Sequence, residues 1–382
     1  MNKKAVFIIS VLIIFTFINA VSAENSTNIN LEINYEYNDE INPEILISNN
    51  NNNISYKKEI VQPNNYKINI NNSHVGEKYS ISVSAWGYIT QIQNVTINPQ
   101  LTANIIFNLK ATDIYKIGYD VTKSADNLLH FSSADDVLVI TTAGMTRIND
   151  ITTENALDGI YNAADGYITY GKGNLLTLSA IRTDPTNFAF FVKNGNSLTM
   201  AFYKNGSTTP IYSGIGGIGL NTNKWKQLRE LLGSDEAYAY VSIANAWNAG
   251  LYPDILTLAS YHGHVCTGLI SGQAMVNTLM KYYPPRGETG AQPLENTAYY
   301  VLGVPGGSDD DAFAWTMDVT PGKMAYIGID SMKNKNMNGF IRWNTSSNSG
   351  ILVIMSYDET KIKRHLKIYI LILIPIIVLQ KI

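Results

Sequence analysis

Cysteine usage constrains this chain more than any other feature, because Cys266 is the only cysteine among its 382 residues. No disulfide can form within the chain, so buried apolar side chains must hold its domains together. Hydrophobic residues make up 45% of the sequence, which is enough for sizeable cores. The length is sufficient for two or three domains at roughly 100–200 residues each.

The charge of the chain excludes one class of partner. Only 15% of the residues are charged, and the formal net charge is -3. A nucleic-acid-binding domain normally shows a basic patch or stripe, so we expect no nucleic-acid partner. Abundant Asn and 24 Tyr residues are instead typical of an extracellular β-rich protein.

Residues 1–23 predict export. Two lysines precede an apolar run over 5–18, and small residues at 21–23 complete the order of a secretory signal peptide. We therefore expect a mature chain that begins near Glu24 and lies outside the cell or at its surface. The alternative is an uncleaved anchor, although the run is shorter than the ~20 residues of a membrane helix. Sites for N-glycosylation, which agree with export, are Asn25, Asn53, Asn71, Asn94, Asn205 and Asn344.

Residues 358–382 form a basic and then hydrophobic tail. The apolar run over 368–379 would rise only about 18 Å as a helix, against a bilayer core of about 30 Å, and Pro375 interrupts it. We expect membrane association through this tail, because an exposed run of this kind would invite aggregation. A cropped or sorting-type tail is the alternative. The basic residues that precede the run are Lys361, Lys363, Arg364, His365 and Lys367.

Periodicity divides the rest of the chain into three domains, so the fold class is multi-domain. Residues 24–110 alternate apolar and polar side chains between Asn- and Gly-containing turns, which predicts an Asn-rich, small β-sandwich-like domain. Residues 111–222 mix strands with a helix and predict a mixed α/β domain. Residues 223–357 contain four helices followed by strands, which predicts an α+β domain.

A glycine-rich stretch over 214–219 matches the G-x-G-x-x-G pattern of dinucleotide-binding folds. That pattern requires a buried strand before it and a helix that opens directly from it. Only three residues of strand character precede this stretch, and Leu220-Asn221-Thr222-Asn223 separates it from the next helix. We therefore interpret it as a loop without a dinucleotide.

The segment 262–266 is the strongest candidate for a chemical site. It contains His262, His264 and Cys266, half of the chain's six His and Cys residues. Imidazole and thiolate are preferred ligands of zinc and other first-row metals. In an extended segment alternate side chains share one side, which predicts that the three converge. A helix expected from Thr267 would favour a Cys266 thiolate. The alternative is a buried His pair and Cys packed under a helix.

A second polar cluster consists of Asp309, Asp310 and Asp311, just before a helix expected from Ala312. Acidic residues at a helix start complement the helix dipole, and this is the role we expect of Asp309. A turn further on brings Lys323 towards the same end of the domain.

These residues resemble the signature of the FmdE-like proteins, a family named after formylmethanofuran dehydrogenase. Residues 261–269 are similar to that family's His-Gly-His-x-Cys-Pro-Gly-Leu-like segment, which leads into a helix. Residues 311–312 match its Asp-Ala step, and residues 320–323 match its Gly-Cys-Thr-x-Gly-Lys-like turn, in order and spacing. The resemblance covers about residues 223–357.

The resemblance implies an α+β domain that binds a divalent metal, commonly zinc, in a family found mainly in methanogenic archaea and anaerobic bacteria. The metal ligands predicted on this basis are His262, His264 and Cys266, with Asp310 and Asp311 as oxygen ligands, and the predicted cofactor-binding residues are Gly263, Gly268 and Lys323. Thr267, Ser308 and Val319 depart from the family pattern, the last two at positions of Cys. Loss of thiolates weakens a closed structural zinc site but leaves an open coordination position.

Three functions are compatible with these features. The first is an exported FmdE-like protein that binds a metal and has a redox or hydrolytic activity. The second captures a metal or metallocofactor without catalysis and passes it on. The third is an adhesin-like surface protein with a structural FmdE-like domain. Expected partners are a metal ion, a small-molecule or metallocofactor ligand, and a membrane at the C-terminal tail. Export argues against a role inside a cytoplasmic methanofuran-reducing complex.

Overall fold

The structure is a computed structural model that describes residues 26–37, 39–49, 52–71, 76–96, 102–217, 219–285, 296–304, 306–329, 337–356 and 377–381. The signal peptide expected over 1–23 and most of the tail expected over 358–382 lie outside the described residues. The chain divides into two compact units. Unit 1 comprises the described residues up to Tyr119 together with Asn155–Asn162, and unit 2 comprises Asp120–Glu154 and the described residues from Ala163 onward. The domain boundaries expected at 110, 222 and 357 stay predictions.

Unit 1 is rich in strands. Its strands are β1 (Thr27–Tyr35), β2 (Glu44–Asn49), β3 (Asn52–Asn53), β4 (Lys57–Gln62), β5 (Asn65–Ile70), β6 (Lys78–Ser84), β7 (Gln91–Thr96) and β8 (Ala103–Leu109). They form two four-stranded sheets of order β4-β5-β1-β8 and β3-β2-β6-β7. β1 pairs antiparallel with β5 and parallel with β8.

The core of unit 1 follows from the alternation in its sequence. Every second side chain of β1 is buried, from Ile29 through Leu31 and Ile33. These side chains share one core with Ile47 of β2 and Ile81 of β6, so the two sheets face each other as a sandwich. The strand-rich N-terminal part of the predicted fold class is confirmed.

Two helices cross the division between the units, α1 (Asp113–Leu129) and α2 (Asn155–Ala163). The remaining helices belong to unit 2 and are α3 (Thr222–Leu232), α4 (Ser234–Asn248), α5 (Pro253–His262), α6 (Thr267–Tyr282) and α7 (Ser308–Met317). Single 3₁₀ turns occupy Phe131–Ser133, Tyr170–Lys172 and Pro321–Lys323.

The strands of unit 2 are β9 (Asp136–Thr141), β10 (Arg147–Ile148), β11 (Ile151–Thr152), β12 (Leu175–Thr177), β13 (Asn187–Asn194), β14 (Ser197–Lys204), β15 (Tyr212–Ile215), β16 (Thr297–Val304), β17 (Tyr326–Gly328), β18 (Met337–Asn344), β19 (Ser349–Ser356) and β20 (Ile377–Lys381). One five-stranded sheet has the order β12-β9-β13-β14-β15, and a second has the order β17-β16-β18-β19-β20. β10 and β11 form a separate hairpin.

Both five-stranded sheets of unit 2 pack against helices. The first sheet shares a core with α3, α4 and α5, in which Phe191 packs in one cluster with Leu228, Tyr240 and Leu256. The second sheet shares a core with α6 and α7, which includes Phe313 and Phe340 at a ring-centroid distance of 5.0 Å. α6 and α7 also reach the first core, through Leu269 and Ala312.

In the glycine-rich stretch over 214–219, Gly214 and Ile215 are the last residues of β15, and the described residues after them lie outside helices and strands, so the expected loop begins only at Gly216. A Cβ at Gly217 would lie 2.5 Å from Asn245 Oδ1 and 2.6 Å from Leu198 Cδ1, so glycine is required there by close packing. The next helix begins only at Thr222 and does not open directly from the strand.

The C-terminal tail enters the described structure only as β20, which pairs antiparallel with β19. Within the described part of the chain, none of the helices is both long enough and apolar enough to cross a bilayer.

Candidate metal centre

The turn between α5 and α6 positions the predicted ligands. Pro253 opens α5 at its first turn, where proline costs no hydrogen bond. Gly263 ends that helix in a left-handed conformation with φ 96°, which favours glycine. Cys266 is the N-cap of α6, and its Sγ accepts the Leu269 backbone N–H at 3.4 Å.

The expectation of an extended segment at 262–266 is wrong. His262 is the last residue of α5, and the chain reverses at Gly263 before it reaches Cys266. The donors converge because a helix end, a left-handed turn and a helix start follow each other within five residues. Strand alternation plays no part.

The ligand atoms of the three residues are nevertheless close to one another. Ligand atoms of His262, His264 and Cys266 all lie within 4.8 Å of one another. Cys266 Sγ stands 3.7 Å from His262 Nε2, and the two imidazole centroids are 4.5 Å apart. With zinc bonds of about 2.0–2.3 Å, tetrahedral donors stand roughly 3.3–3.8 Å apart, so small movements bring the three onto one ion. Two imidazoles and one thiol therefore fit zinc in chemistry and in spacing.

The neighbours of the cluster shift the pKa values of all three donors. The hydrogen bond with Cys266 raises the pKa of His262 most; burial opposes this, and Asp311 adds to it. Burial and the proximity of His262 hold the pKa of His264 below its usual value. Burial would raise the pKa of the Cys266 thiol, but hydrogen bonds from His262, Leu269 N–H and the Ser308 side chain outweigh it, so this pKa is lowered.

Of the two predicted acidic ligands, Asp311 contacts this group, whereas Asp310 hydrogen bonds at the start of its own helix. Asp311 Oδ2 stands 2.7 Å from His262 Nδ1, the ring nitrogen that points away from Cys266. Asp310 Oδ2 accepts the Gly307 backbone N–H at 2.6 Å, and burial raises the pKa of Asp310 to about 6. As direct ligands the two stay a prediction. The Asp311 contact is the one that an outer carboxylate makes to orient a metal-bound histidine.

Asp309 occupies the place expected of a helix start. It stands in the first turn of α7, it is buried, and it accepts a hydrogen bond from Asn338 Nδ2. The role expected from the helix dipole is consistent with this position.

The predicted cofactor-binding residues are spread around the site. Gly263 forms the turn described above, and no atom outside its own neighbourhood lies within 4 Å of a Cβ built there. A Cβ at Gly268 would lie 2.9 Å from Ser308 Cβ, so Gly268 lets α6 approach α7 closely. Lys323 lies in a 3₁₀ turn and pairs with Asp318. Contact of these residues with a cofactor stays a prediction.

Sequence reasoning missed two kinds of neighbour. The Ser308 side chain hydrogen bonds with Cys266, and the family pattern was its signal, because Ser308 occupies a family Cys position. On the other side, Ser242 Oγ accepts the Val265 N–H at 3.0 Å, and Tyr238 OH donates to Val265 O at 3.2 Å. Both belong to α4, and no local pattern marked them. Val319, at another family Cys position, is buried in the core of the second sheet.

Comparison with known proteins agrees with the resemblance of the C-terminal third. A protein-family model described as "FmdE, Molybdenum formylmethanofuran dehydrogenase operon" matches residues 261–368. The match begins one residue before His262, whereas the resemblance was expected from about 223. No curated protein matches the chain.

Proposed function

We propose that His262, His264 and Cys266 bind one divalent metal ion, zinc, and leave its fourth coordination position open. The convergence of their ligand atoms within 4.8 Å carries this proposal. Among the described residues no other group of three His, Cys, Asp or Glu side chains converges in this way. A metal ion with three protein ligands and an open position supplies Lewis-acid chemistry when bound.

Asp311 supports the same function from outside the ligand set. Its 2.7 Å contact with His262 Nδ1 leaves Nε2 free to bind a metal and fixes the orientation of the ring. The His262 side chain is only 10% exposed, so its ring has little freedom to turn away. Asp311 therefore acts as a positioning residue for the metal ligand.

Elemental analysis of the anaerobically purified full chain tests the proposal. We expect close to one zinc ion per chain, and a loss of at least about tenfold in zinc affinity in each of His262→Ala, His264→Ala and Cys266→Ala. His130→Ala, at an exposed histidine outside the cluster, is the matched control and keeps its metal. Absence of metal from the wild-type protein, or full retention in all three variants, would exclude the site.

A second candidate function rests on the order Cys266, His262, Asp311. A thiol, an imidazole at 3.7 Å and a carboxylate at 2.7 Å from the other ring nitrogen form the nucleophile, base and orienting group of a cysteine hydrolase or transferase. In this function Cys266 attacks an acyl carbon, and its proton passes to His262 as the leaving group departs. His264 has no part in it, so this residue separates the two candidates.

A nitrophenyl ester distinguishes the candidates in metal-free protein. The thiol function predicts a stoichiometric burst of nitrophenolate that Cys266→Ala abolishes, that Asp311→Asn slows at least about tenfold, and that His264→Ala leaves unchanged. A burst that is absent from the wild-type metal-free protein rules this function out. The metal function is unaffected by that result, because its readout is zinc content.

We also propose that the protein is exported and associates with a membrane surface through its tail. The signal-peptide pattern of residues 1–23 and the basic-apolar pattern of 358–382 support this. Mass spectrometry of the mature N-terminus tests it, with Glu24 as the expected first residue. Two measurements then separate the three functions expected of an exported protein. Turnover of a substrate distinguishes a metalloenzyme from a protein that only captures a metal or metallocofactor. Absence of bound metal would indicate an adhesin-like protein.

A further inference from the structure

One face of α7 runs along the candidate metal centre and continues past it. Asp311 on this face lies 2.7 Å from His262 Nδ1. Trp315 follows four residues later, so it lies on the same face about 6 Å further along the helix. The ring centroid of Trp315 is 5.1 Å from that of Tyr261, the residue before His262. The Tyr261–Trp315 pair therefore lies about one helical turn from a metal ligand.

Both rings of this pair are open to solvent. Tyr261 is 44% exposed and Trp315 is 49% exposed. The two rings come from α5 and α7, the helices that also join His262 to Asp311, so the same packing of helices positions the rings and the ligand. Single exposed apolar side chains need no explanation, whereas adjacent ones beside a site point to something that binds them.

A third exposed ring lies beside another ligand. Tyr238 of α4 is 45% exposed, and its ring centroid is 5.2 Å from that of His264. The Tyr238 hydroxyl donates to Val265 O at 3.2 Å, which holds the ring at the turn that carries the ligand. Exposed aromatic rings therefore accompany both imidazoles of the candidate metal centre.

The ligands themselves are accessible to a small molecule. His262, His264 and Cys266 are each only partly buried, and His264 also lines a cavity of about 280 Å³. Three protein ligands leave one position of a zinc ion for a donor from outside the protein. A ring attached directly to such a donor lies about 5 Å from the ion, and stacked rings stand about 4.5–7 Å apart. These lengths together span the one turn to the Tyr261–Trp315 pair.

The chemistry of the exposed side chains selects the class of ligand. Aromatic rings pair with other planar rings through offset stacking or edge-to-face contact, in addition to the area that they bury. A saturated chain gains from the buried area alone. A cation also binds an aromatic face, but a divalent metal ion nearby would repel it. A planar aromatic ring that carries an anionic donor matches both the exposed rings and the metal.

We propose that the candidate metal centre binds a planar aromatic ligand, whose anionic oxygen donor takes the open position of the metal and whose ring packs on Tyr261 and Trp315. Tyr238 provides a second aromatic contact on the side of His264. The inference rests on the proposed zinc site and adds the class of molecule that the site accepts.

Three hydroxamates test the proposal, because they share one metal-binding group and differ in the group attached to it. Calorimetry of the zinc-loaded full chain measures the binding of benzohydroxamate, acetohydroxamate and cyclohexanecarbohydroxamate. We expect benzohydroxamate to bind at least about tenfold more tightly than acetohydroxamate, and severalfold more tightly than the saturated ring of similar size.

Variants of the exposed pair locate the contact. Trp315→Leu and Tyr261→Leu each keep an apolar side chain but remove the ring, so each should reduce the preference for benzohydroxamate severalfold. Zinc content and the affinity for acetohydroxamate should stay at wild-type values. Trp86→Leu, at a tryptophan of unit 1 that is 79% exposed, is the matched control and leaves all three affinities unchanged.

Three results would overturn the inference while the zinc site stands. They are equal affinity for benzohydroxamate and acetohydroxamate, equal affinity for the aromatic and the saturated ring, and an undiminished aromatic preference in both leucine variants. Each is read on protein whose zinc content has been measured, so a wild-type chain without zinc would instead overturn the metal site and this inference together. If Trp315→Leu lost its zinc through misfolding, Tyr261→Leu would decide.

Discussion

At the scale of single residues, the candidate metal centre depends on residues that contact its ligands and are not ligands themselves. Asp311 holds His262 through the ring nitrogen that faces away from Cys266, and Ser308 hydrogen bonds with Cys266 itself. The three donors alone form an open site. Ser308 lies next to Cys266, so a metal-binding side chain at position 308 would supply the fourth ligand.

Ser308→Cys should convert the open site into a closed one. A second thiolate beside Cys266 completes a two-His, two-Cys set, which is a common structural zinc site. We expect zinc affinity to rise at least about tenfold, measured by competition with a chromophoric chelator under reducing conditions. Ser347→Cys, at an exposed serine outside the site, controls for the added thiol. Unchanged affinity in Ser308→Cys would show that Ser308 does not face the metal.

Asp311→Asn tests the outer contact. The amide keeps the size of the side chain but loses the charge that favours a metal-bound imidazole. Removal of such a partner typically lowers metal affinity about 10–100-fold, and we expect a loss in this range with the fold intact. The same competition assay measures it, and circular dichroism checks the fold. If Asp311→Asn bound zinc as tightly as the wild-type protein, the contact between Asp311 and His262 would have no role in metal binding.

At the scale of secondary-structure elements, two glycines bring α6 and α7 together. A Cβ at Gly272 would lie 2.5 Å from Asp309 O and 2.9 Å from Ala312 Cβ. The Asp309 backbone oxygen cannot move aside as the end of a flexible side chain could, so the two helices would have to separate. The close approach matters for function because α7 carries Ser308 and Asp311 to the turn that α6 follows.

Gly272→Ala should therefore weaken both the fold and the site. Forced separation of the helices costs about 1–3 kcal/mol in the free energy of unfolding, which outweighs the helix propensity of alanine. Urea denaturation measures the first effect and zinc affinity the second. Gly171→Ala is the control, because a Cβ there meets nothing within 4 Å. Equal stability of the two variants would contradict the close packing.

In unit 1, Glu36 joins the end of β1 to the start of α1. Its carboxylate accepts the Ala111 N–H at 2.9 Å and lies 3.6 Å from Lys116 Nζ. The hydrogen bond from Ala111 is the main reason that the pKa of Glu36 is lowered. A carboxyl group with a lowered folded-state pKa stabilises the fold above its unfolded pKa of about 4.3, and that contribution disappears as the pH falls through the folded value.

Glu36→Gln should thus lower the melting temperature of unit 1 at pH 7, and the difference from the wild type should shrink as the pH falls below about 4.3. The amide can still accept from Ala111, so only the charge is removed. We expect a decrease of about 1–3 °C at pH 7, typical of an exposed ion pair. Glu32→Gln on β1 is the matched control. A difference that persists undiminished at pH 3 would contradict the assigned cause.

At the scale of the whole molecule, the candidate metal centre lies in unit 2, and none of its ligands belongs to the core cluster described for unit 1. Zinc should therefore stabilise one unit only. At about 100 times its dissociation constant, a ligand adds about 2.7 kcal/mol to the unit that binds it. Calorimetry should show one transition that moves upward with zinc and another, the one sensitive to Glu36→Gln, that does not. A joint upward shift of both transitions would contradict this.

Local patterns in the sequence determined the elements of this protein and the identity of its donors. Alternation along β1, Pro253 at the start of α5 and Gly263 after its end act through the backbone geometry of near neighbours, so they can be seen in any short window. The concentration of His262, His264 and Cys266 is visible in the same way, although the expected reason for their convergence was wrong.

Only the tertiary structure decided what these groups meet. His262 and Asp311 are 49 residues apart, as are Asn187 and Glu236, and both pairs form only when helices and sheets pack. The cavity that His264 lines has no sequence signature, because its wall comes from five separate segments of the chain. Packing distributes such contacts over the chain, whereas periodicity and capping act within one or two turns of it.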